Sequence, residues 1–419
     1  MDNLTPMMQQ YVSIKERYKD SILFFRLGDF YEMFFDDAII ASKELEITLT
    51  QRGAGMDEKV PMCGVPHHVA DSYISKLVKK GYKVAICDQL EDPALAKGLV
   101  KRDVIRVITP GTITDSNVLD EKSNNYLVSI YLDDFGVGIA YADNSTGEMY
   151  TSEYSSSLEN NYRFVIDELG KTLPAEIICN EFFMNYEKFI KIIQNKINPF
   201  FNSYVNVKGI EEGHINRILE LFQAKSLKEL GLEGRMYSIL ATSKLIDYLY
   251  TTQKNSLDHI NEIIYYEPKD YMILDINTRT NLEIQDSIMS RNRKSTLIYH
   301  IDRTSTAMGG RLLKNWLEQP LLNIEEINYR LDMVEYLYNN MIFMDEITTR
   351  LKSIYDIERL AGRISTGNCN GRDLISLRNS ISVLPDLKSL LSKVENRSLR
   401  ELGANIDGLE DIYDLIDRS

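Results

Sequence analysis

Ile22-Leu23-Phe24-Phe25-Arg26-Leu27-Gly28-Asp29-Phe30-Tyr31-Glu32-Met33-Phe34 sets an apolar run, a glycine break and an aromatic–acidic motif side by side. The run Ile22 to Phe25 reads as a buried strand that ends at Gly28. From Asp29 onward Phe30, Met33, Phe34, Ala38 and Ala41 recur at a three-to-four residue spacing with charges between them, which predicts a helix. Gly28 to Glu32 is therefore expected at a strand-to-helix junction, where side chains stand exposed on a rigid support.

Outward from this stretch, Thr5 to Tyr18 reads as a helix, with Pro6 suited to its first turn. Gly53 and Gly55 break the chain, and Pro61 to His68 reads as a loop. An amphipathic helix follows around Ser72 to Lys80, capped by Gly81, and then Tyr82 to Gln89 alternates like a strand. A mixed α/β domain is expected over residues 1–115. Pro110-Gly111-Thr112 and Asp115-Ser116-Asn117 carry linker chemistry. Three strand-like runs come next, Tyr126 to Leu132, Gly136 to Ala142 and Glu148 to Tyr154, with turn residues between them. They open a second α/β domain, placed at 116–260. The chain is helical beyond about Ile210, and from Leu282 to Ser419 long helix-like stretches are interrupted mainly by Pro320 and Pro385. Residues 261–419 are read as a mostly α-helical, incomplete domain resembling a lever.

The chain has 419 residues, 44% of them hydrophobic, more than a single core needs. No run of 18 apolar residues supports a membrane span, and the start Met1-Asp2-Asn3-Leu4 does not read as a secretory signal. Cys63, Cys87, Cys179 and Cys369 form no CxxC pair and read as reduced thiols of a cytoplasmic protein. The net charge of −14 is uneven: 15 basic against 17 acidic residues in 1–115, 14 against 23 in 116–270, and 19 against 22 in 271–419. Either end has room for a local basic surface, while strong non-specific binding to nucleic acid is not expected of the whole.

Phe30 and Glu32 are the residues richest in chemistry. An aromatic ring at a minor groove can wedge between base steps, and unstacking costs least at a mispaired base. A carboxylate beside phosphates becomes useful if it accepts from a base N–H freed by mispairing, or, once protonated, donates to the base. The alternative is a core phenylalanine and a solvated first-turn acid. Arg52, Lys76, Lys79 and Lys80 are the candidate contacts to the DNA backbone, and His67 and His68 suit loop packing or a neighbouring phosphate better than a metal. A second basic group, Arg291, Arg293 and Lys294 followed by Arg303, Arg311 and Lys314, has the chemistry to contact phosphates or face other domains, although a solvated face is the commoner place for so short a charge run. Asp133, Asp134, Asp143 and Glu148 raise a rival class, a metal-dependent nuclease, although their places read as turns. A third class is a protein-docking scaffold. Gly170-Lys171-Thr172 lacks the earlier glycine of a phosphate-binding loop, so no ATP site is expected.

Gly28-Asp29-Phe30-Tyr31-Glu32-Met33-Phe34 resembles the mismatch-recognition signature of the MutS family. Leu49 to Gly53, Met62 to His68, Val84 to Gln89 and Val107 to Thr112 agree with it, as do Asp302 to Thr304, Met308 to Leu313, Trp316 to Leu321 and Asp356 to Leu360. The match runs nearly end to end, and the Phe-Tyr-Glu form is similar to the bacterial members. The resemblance implies a mismatch-binding domain, a connector with an RNase H-like fold, and a helical core with levers. It implies that Phe30 stacks at the mismatch and Glu32 bonds the mispaired base, supported by Gly28, Asp29 and Tyr31. It also implies mismatched double-stranded DNA and a MutL-type protein as partners, the latter through the connector, and a homodimer in the full-length form. The implied location is cytoplasmic, on the bacterial nucleoid, with no membrane partner. ATP and Mg belong to the full-length family. Family members continue into a clamp and an ATPase, and this chain is expected to stop before either at Ser419.

Overall fold

The computed structural model describes residues 4–55, 59–91, 98–115, 118–204, 209–285, 287 and 293–419. Ser116, Asn117 and Arg291, together with the side chain of Arg293, lie outside the described residues.

The first sheet has the order β3-β4-β2-β1-β5-β6. Its strands are β1 (Ser21–Leu27), β2 (Phe30–Phe34), β3 (Thr50–Gly53), β4 (Lys59–Pro66), β5 (Lys83–Gln89) and β6 (Arg102–Ile108). Only β1 and β5 pair in parallel. Alternation along β1 builds two cores. Ile22 and Phe24 pack under helices α2 (Phe35–Leu45) and α3 (Ala70–Lys79), while Leu23 and Phe25 pack under α1 (Pro6–Arg17).

Three sequence expectations are corrected here. Phe30 to Phe34 is a strand, and the helix starts only at Phe35. The segment is paired on both sides, Glu32 opposite Phe25 of β1 and opposite Gly64 of β4, so its backbone groups are spent in ladders. Its exposure also follows a period of two at the tip, with Phe30 exposed, Tyr31 buried, Glu32 half-buried and Met33 buried. Most of the expected loop Pro61 to His68 belongs to β4, which continues into a short turn, His67–Val69. Pro110-Gly111-Thr112 is a buried turn, held by Glu176, whose carboxylate accepts from the Thr109 hydroxyl and the Gly111 N–H.

The second sheet has the order β11-β10-β7-β8-β9-β12. Its strands are β7 (Leu127–Leu132), β8 (Val137–Asp143), β9 (Glu148–Tyr154), β10 (Glu176–Asn180), β11 (Phe200–Tyr204) and β12 (Ile264–Tyr265). β7-β8-β9 is an antiparallel meander, and β10 and β11 extend β7 in parallel. Every residue of β7 and β8 is buried, because helix α4 (Leu158–Thr172) covers one face and the helix Met236–Gln253 the other.

Beyond residue 296 the described chain is helical. The continuous long helices expected there are replaced by short ones, of which Ile324–Asn339 is the longest at 16 residues. Asn323, Asp356, Asn370 and Asn396 each start a new helix by accepting backbone N–H groups.

Buried arginines join these helices to the second sheet. Arg359 is among the largest fully buried side chains. It donates to Ser145 Oγ at 3.2 Å and to the carbonyls of Asp120 and Ser123 at 3.1 and 2.6 Å. Arg311 holds Asp356 with two bonds, 2.7 and 2.8 Å, and reaches Glu358 at 2.6 Å. Lys122 bonds Asp302 at 2.9 Å. Glu148 lies beside this cluster, and burial, followed by the nearby charges of Asp143 and Glu358, pushes its carboxyl up to about 7.

A carboxyl raised in the fold stays protonated there while its unfolded counterpart ionises near pH 4.5. Stability linked to Glu148 is therefore full below that value and falls as pH rises to about 7. Glu148→Gln mimics the protonated form. It is expected to be more stable than the parent at pH 8, by about 3 kcal/mol, and nearly equal to it at pH 4.5. Denaturant midpoints across that pH range check both ends.

Candidate nucleic-acid interface

The hairpin of β1 and β2 turns through Gly28 and Asp29, with Leu27 opposite Phe30. Gly28 has φ +57°, the conformation asked of a glycine at the first central position of such a turn. Gly28, Asp29 and Phe30 are all exposed, and Phe30 keeps 46% of its surface accessible. The turn is braced from β4: the His67 N–H donates to the Asp29 carbonyl at 2.9 Å, and His67 Nδ1 lies 3.2 Å from the same oxygen. His68 is exposed beside it, its ring edge-on to His67 at 5.8 Å between centroids.

Tyr31 points to the opposite face and anchors the strand. Its hydroxyl donates to Asp88 at 2.9 Å, and the Arg26 guanidinium sits 5.5 Å from its ring centre. Burial, reinforced by the Asp88 charge, raises the Tyr31 hydroxyl well above the usual tyrosine range.

Glu32 shares its face with Phe30, as alternate residues of a strand do. Opposite it stands Gly64; a Cβ there would lie 3.4 Å from Glu32 Cγ and 3.2 Å from the Tyr31 carbonyl. The missing side chain leaves a notch in which the glutamate lies. Its carboxylate forms an ion pair with Arg52, which reaches across from the edge strand β3. The side chains are 16% exposed for Glu32 and 39% for Arg52.

Phe30 and Glu32 thus share one face; His67 braces the turn beside Phe30, and Arg52 reaches Glu32 from opposite Val60, six residues along β4 from the partner of Phe30. Lys76, Lys79 and Lys80 do not join them, which corrects their grouping with Phe30. α3 packs on the face that holds Tyr31 and Met33, opposite to Phe30 and Glu32. Lys80 also lies next to the start of β5, which pairs with the start of β1, roughly 20 Å of strand from the turn. Its ammonium is engaged by Glu44 at 2.7 Å.

The other basic group is dispersed too. Arg311 is buried in the joint, Lys314 bonds Ser123 Oγ, and Arg303 donates to the Asp302 carbonyl at 2.9 Å. The acids behind the nuclease reading are divided between opposite ends of β8: Asp133 closes the β7–β8 turn, and Asp143 and Glu148 flank the β8–β9 turn. Asp143 is buried and accepts from Asn124, from the backbone N–H groups of Asn125 and Ser145, and from the Ser145 hydroxyl. Among the described residues no group of three or more His, Cys, Asp or Glu is placed to hold a metal ion. Gly170-Lys171-Thr172 falls in the last turn of α4, where Lys171 pairs with Glu168 at 2.6 Å. A phosphate cradle needs the start of a helix. Cys63, Cys87 and Cys179 are buried free thiols, pushed by burial up to about 12. Among the described residues no helix is long and apolar enough to cross a membrane.

Sequence reasoning named Arg52 as a backbone contact and missed both its ion pair with Glu32 and the notch at Gly64. Arg52 stands 20 residues from Glu32, and their proximity follows only from the β2–β4–β3 register.

Comparison with known proteins adds the family. Residues 5–117 match the family model MutS domain I, residues 125–261 match MutS domain II, and residues 277–419 match MutS domain III. The chain is 49% identical over 425 residues to the DNA mismatch repair protein MutS of Alkaliphilus oremlandii, covering all of this chain and 48% of that protein. It is 49% identical over 417 residues to the protein of that name from Caldanaerobacter subterraneus subsp. tengcongensis, covering 100% and 47%. The corresponding Clostridioides difficile protein is 45% identical over 419 residues, covering 100% and 43%. The chain spans about half the length of the curated relatives it matches.

Two residues of β2 should respond very unequally to truncation. Phe30→Ala is expected to move the thermal midpoint little, about 0.5–1 kcal/mol, because the ring is half in solvent. Met33→Ala, at a position with no exposed surface, should cost about 2–5 kcal/mol. Thermal denaturation of the two variants side by side is the check.

Proposed function

The chain belongs to the MutS family of DNA mismatch repair proteins, and from that premise we propose that its first domain recognises mispaired and unpaired bases in duplex DNA from the minor groove. Phe30 is the wedge. Glu32 is the acceptor for a base N–H that mispairing has released. The observation that carries the reading is a large aromatic ring left 46% exposed at the tip of a braced hairpin, with a carboxylate on the same face two residues on. A wedge reads weakness in stacking rather than sequence, so one site serves many mispairs. His67, beside the turn, and Arg52, paired with Glu32, are the proposed contacts to the flanking backbone.

The reading extends to the other domains. Residues 1–115 are the recognition domain, 116–260 the connector and 261–419 a helical core and lever region. The order β9-β8-β7-β10-β11, in which only β8 runs against the rest, supports an RNase H-like connector. The connector is the proposed docking site of a MutL-type partner, and the full-length protein is proposed to act as a cytoplasmic, nucleoid-associated homodimer. ATP turnover with Mg is assigned to the portion of the relatives outside these 419 residues.

Fluorescence anisotropy with matched and single-mismatch duplexes, at low and moderate salt, tests the recognition claim. The parent chain should prefer the mismatched duplex. Phe30→Ala should bring the two affinities within about twofold of each other, since the unstacking step is lost. A preference that survives Phe30→Ala contradicts the assignment.

A further inference from the structure

Glu32 is the acceptor in this site, yet in the free protein it is already engaged. Its partner, Arg52, stands on an edge strand at the rim of the sheet and is more exposed than the carboxylate it covers, 39% against 16%. Among the described residues the Arg52 guanidinium has no other side-chain partner. A guanidinium offers five N–H donors in a planar fork suited to carboxylate and phosphate alike. Among the described residues most of the Arg52 donors are therefore uncommitted, on the face that carries Glu32.

An unpaired carboxylate there would repel any approaching backbone, because each phosphate is negative. Paired with Arg52, it presents a neutral surface to the duplex. We propose that Arg52 is a charge-exchange residue of the site: it covers Glu32 in the free protein and passes to a DNA backbone phosphate on binding, which uncovers the Glu32 carboxylate for the base. This rests on the reading of Phe30 and Glu32 given above, and it adds the means by which that site is regulated.

The exchange has opposite consequences on the two kinds of duplex. At a mispair, the uncovered carboxylate meets a base N–H and is satisfied. At a matched pair, the base N–H groups are held in the pair, and the carboxylate is left beside phosphates with its counter-ion withdrawn. The exchange thus turns a sequence-blind backbone contact into a contribution to mismatch discrimination.

A double-mutant cycle read against salt tests the exchange. Anisotropy is measured on matched and single-mismatch duplexes for the parent chain, Arg52→Gln, Glu32→Gln, the double variant and Phe30→Ala, with circular dichroism confirming that each is folded. A purely structural arginine leaves the salt dependence alone. One that reaches phosphate should, on removal, make the slope of log K against log salt shallower by about one. On the matched duplex Arg52→Gln should cost roughly tenfold in the Glu32→Gln background, where the arginine starts uncovered, and only a few-fold in the parent.

An unchanged slope, or equal costs in the two backgrounds, overturns the exchange. If Phe30→Ala abolishes mismatch preference while either of those results holds, the exchange fails alone. If Phe30→Ala keeps the preference, the reading beneath it fails. Binding too weak to measure on either duplex at the lowest salt counts against both.

Discussion

Pairing on both sides of a five-residue strand is the constraint on which the site depends. Because β2 is hydrogen-bonded to β1 and to β4, its side chains have only two directions. Tyr31 and Met33 are drawn into the core beneath α2 and α3. Phe30 and Glu32 must then share the other face, and the hairpin turn carries Phe30 past the core that shelters Phe34. A one-residue slip would bury Phe30 and expose Tyr31. The buried Tyr31, hydrogen-bonded to Asp88, and the Asp29 carbonyl held by His67 oppose such a slip from both ends of the motif. For the proposed wedge this rigidity matters, because a ring that yields before the base stack does would discriminate nothing.

The second constraint is electrostatic and lies between the helical region and the second sheet. Arg359 and Arg311 are buried cations held by the carbonyls of Asp120, Glu121 and Ser123, by Ser145 and by Asp356 and Glu358, with Arg311 Nε left without a partner among the described residues. Directional bonds of this kind fix an orientation that an apolar contact alone would leave loose. Removing one partner would strand a buried charge, which generally costs several kcal/mol. The segment they grip leads back to the turn 109–112, itself held by the buried Glu176. The recognition domain is thereby joined to the rest through polar contacts at both ends of the connection.

Much of this was legible in the sequence, for physical reasons that differ by element. The helix at Pro6 and the meander after Tyr126 announce themselves because one apolar period dominates each and the turns carry Gly, Asp and Asn. β2 misled because Phe30, Met33 and Phe34 satisfy a helical spacing as well as a strand, and the α2 helix that does follow extends the same pattern. Pro110-Gly111-Thr112 has the composition of an exposed linker, and only the distant Glu176 makes it a buried turn. At the site, Phe30 and Glu32 were identifiable as chemistry-bearing residues. Their common face, the Gly64 notch and the Arg52 ion pair were not, because each depends on strand register. That Lys76, Lys79 and Lys80 lie away from Phe30 was not legible either, because the face of a sheet on which a helix packs depends on the fold.

The central claim is mechanical: Phe30 enters the base stack at a mispair and bends the duplex. Its most direct test is single-molecule energy transfer between dyes placed on either side of a single mismatch, read as the chain binds. A wedge predicts a bent, high-transfer population on the mismatched duplex, absent on the matched one and absent when the bound protein is Phe30→Ala, since side-chain insertion kinks DNA by tens of degrees. Bound mismatched DNA that stays as straight as matched DNA, or that bends equally with Phe30→Ala, would contradict it.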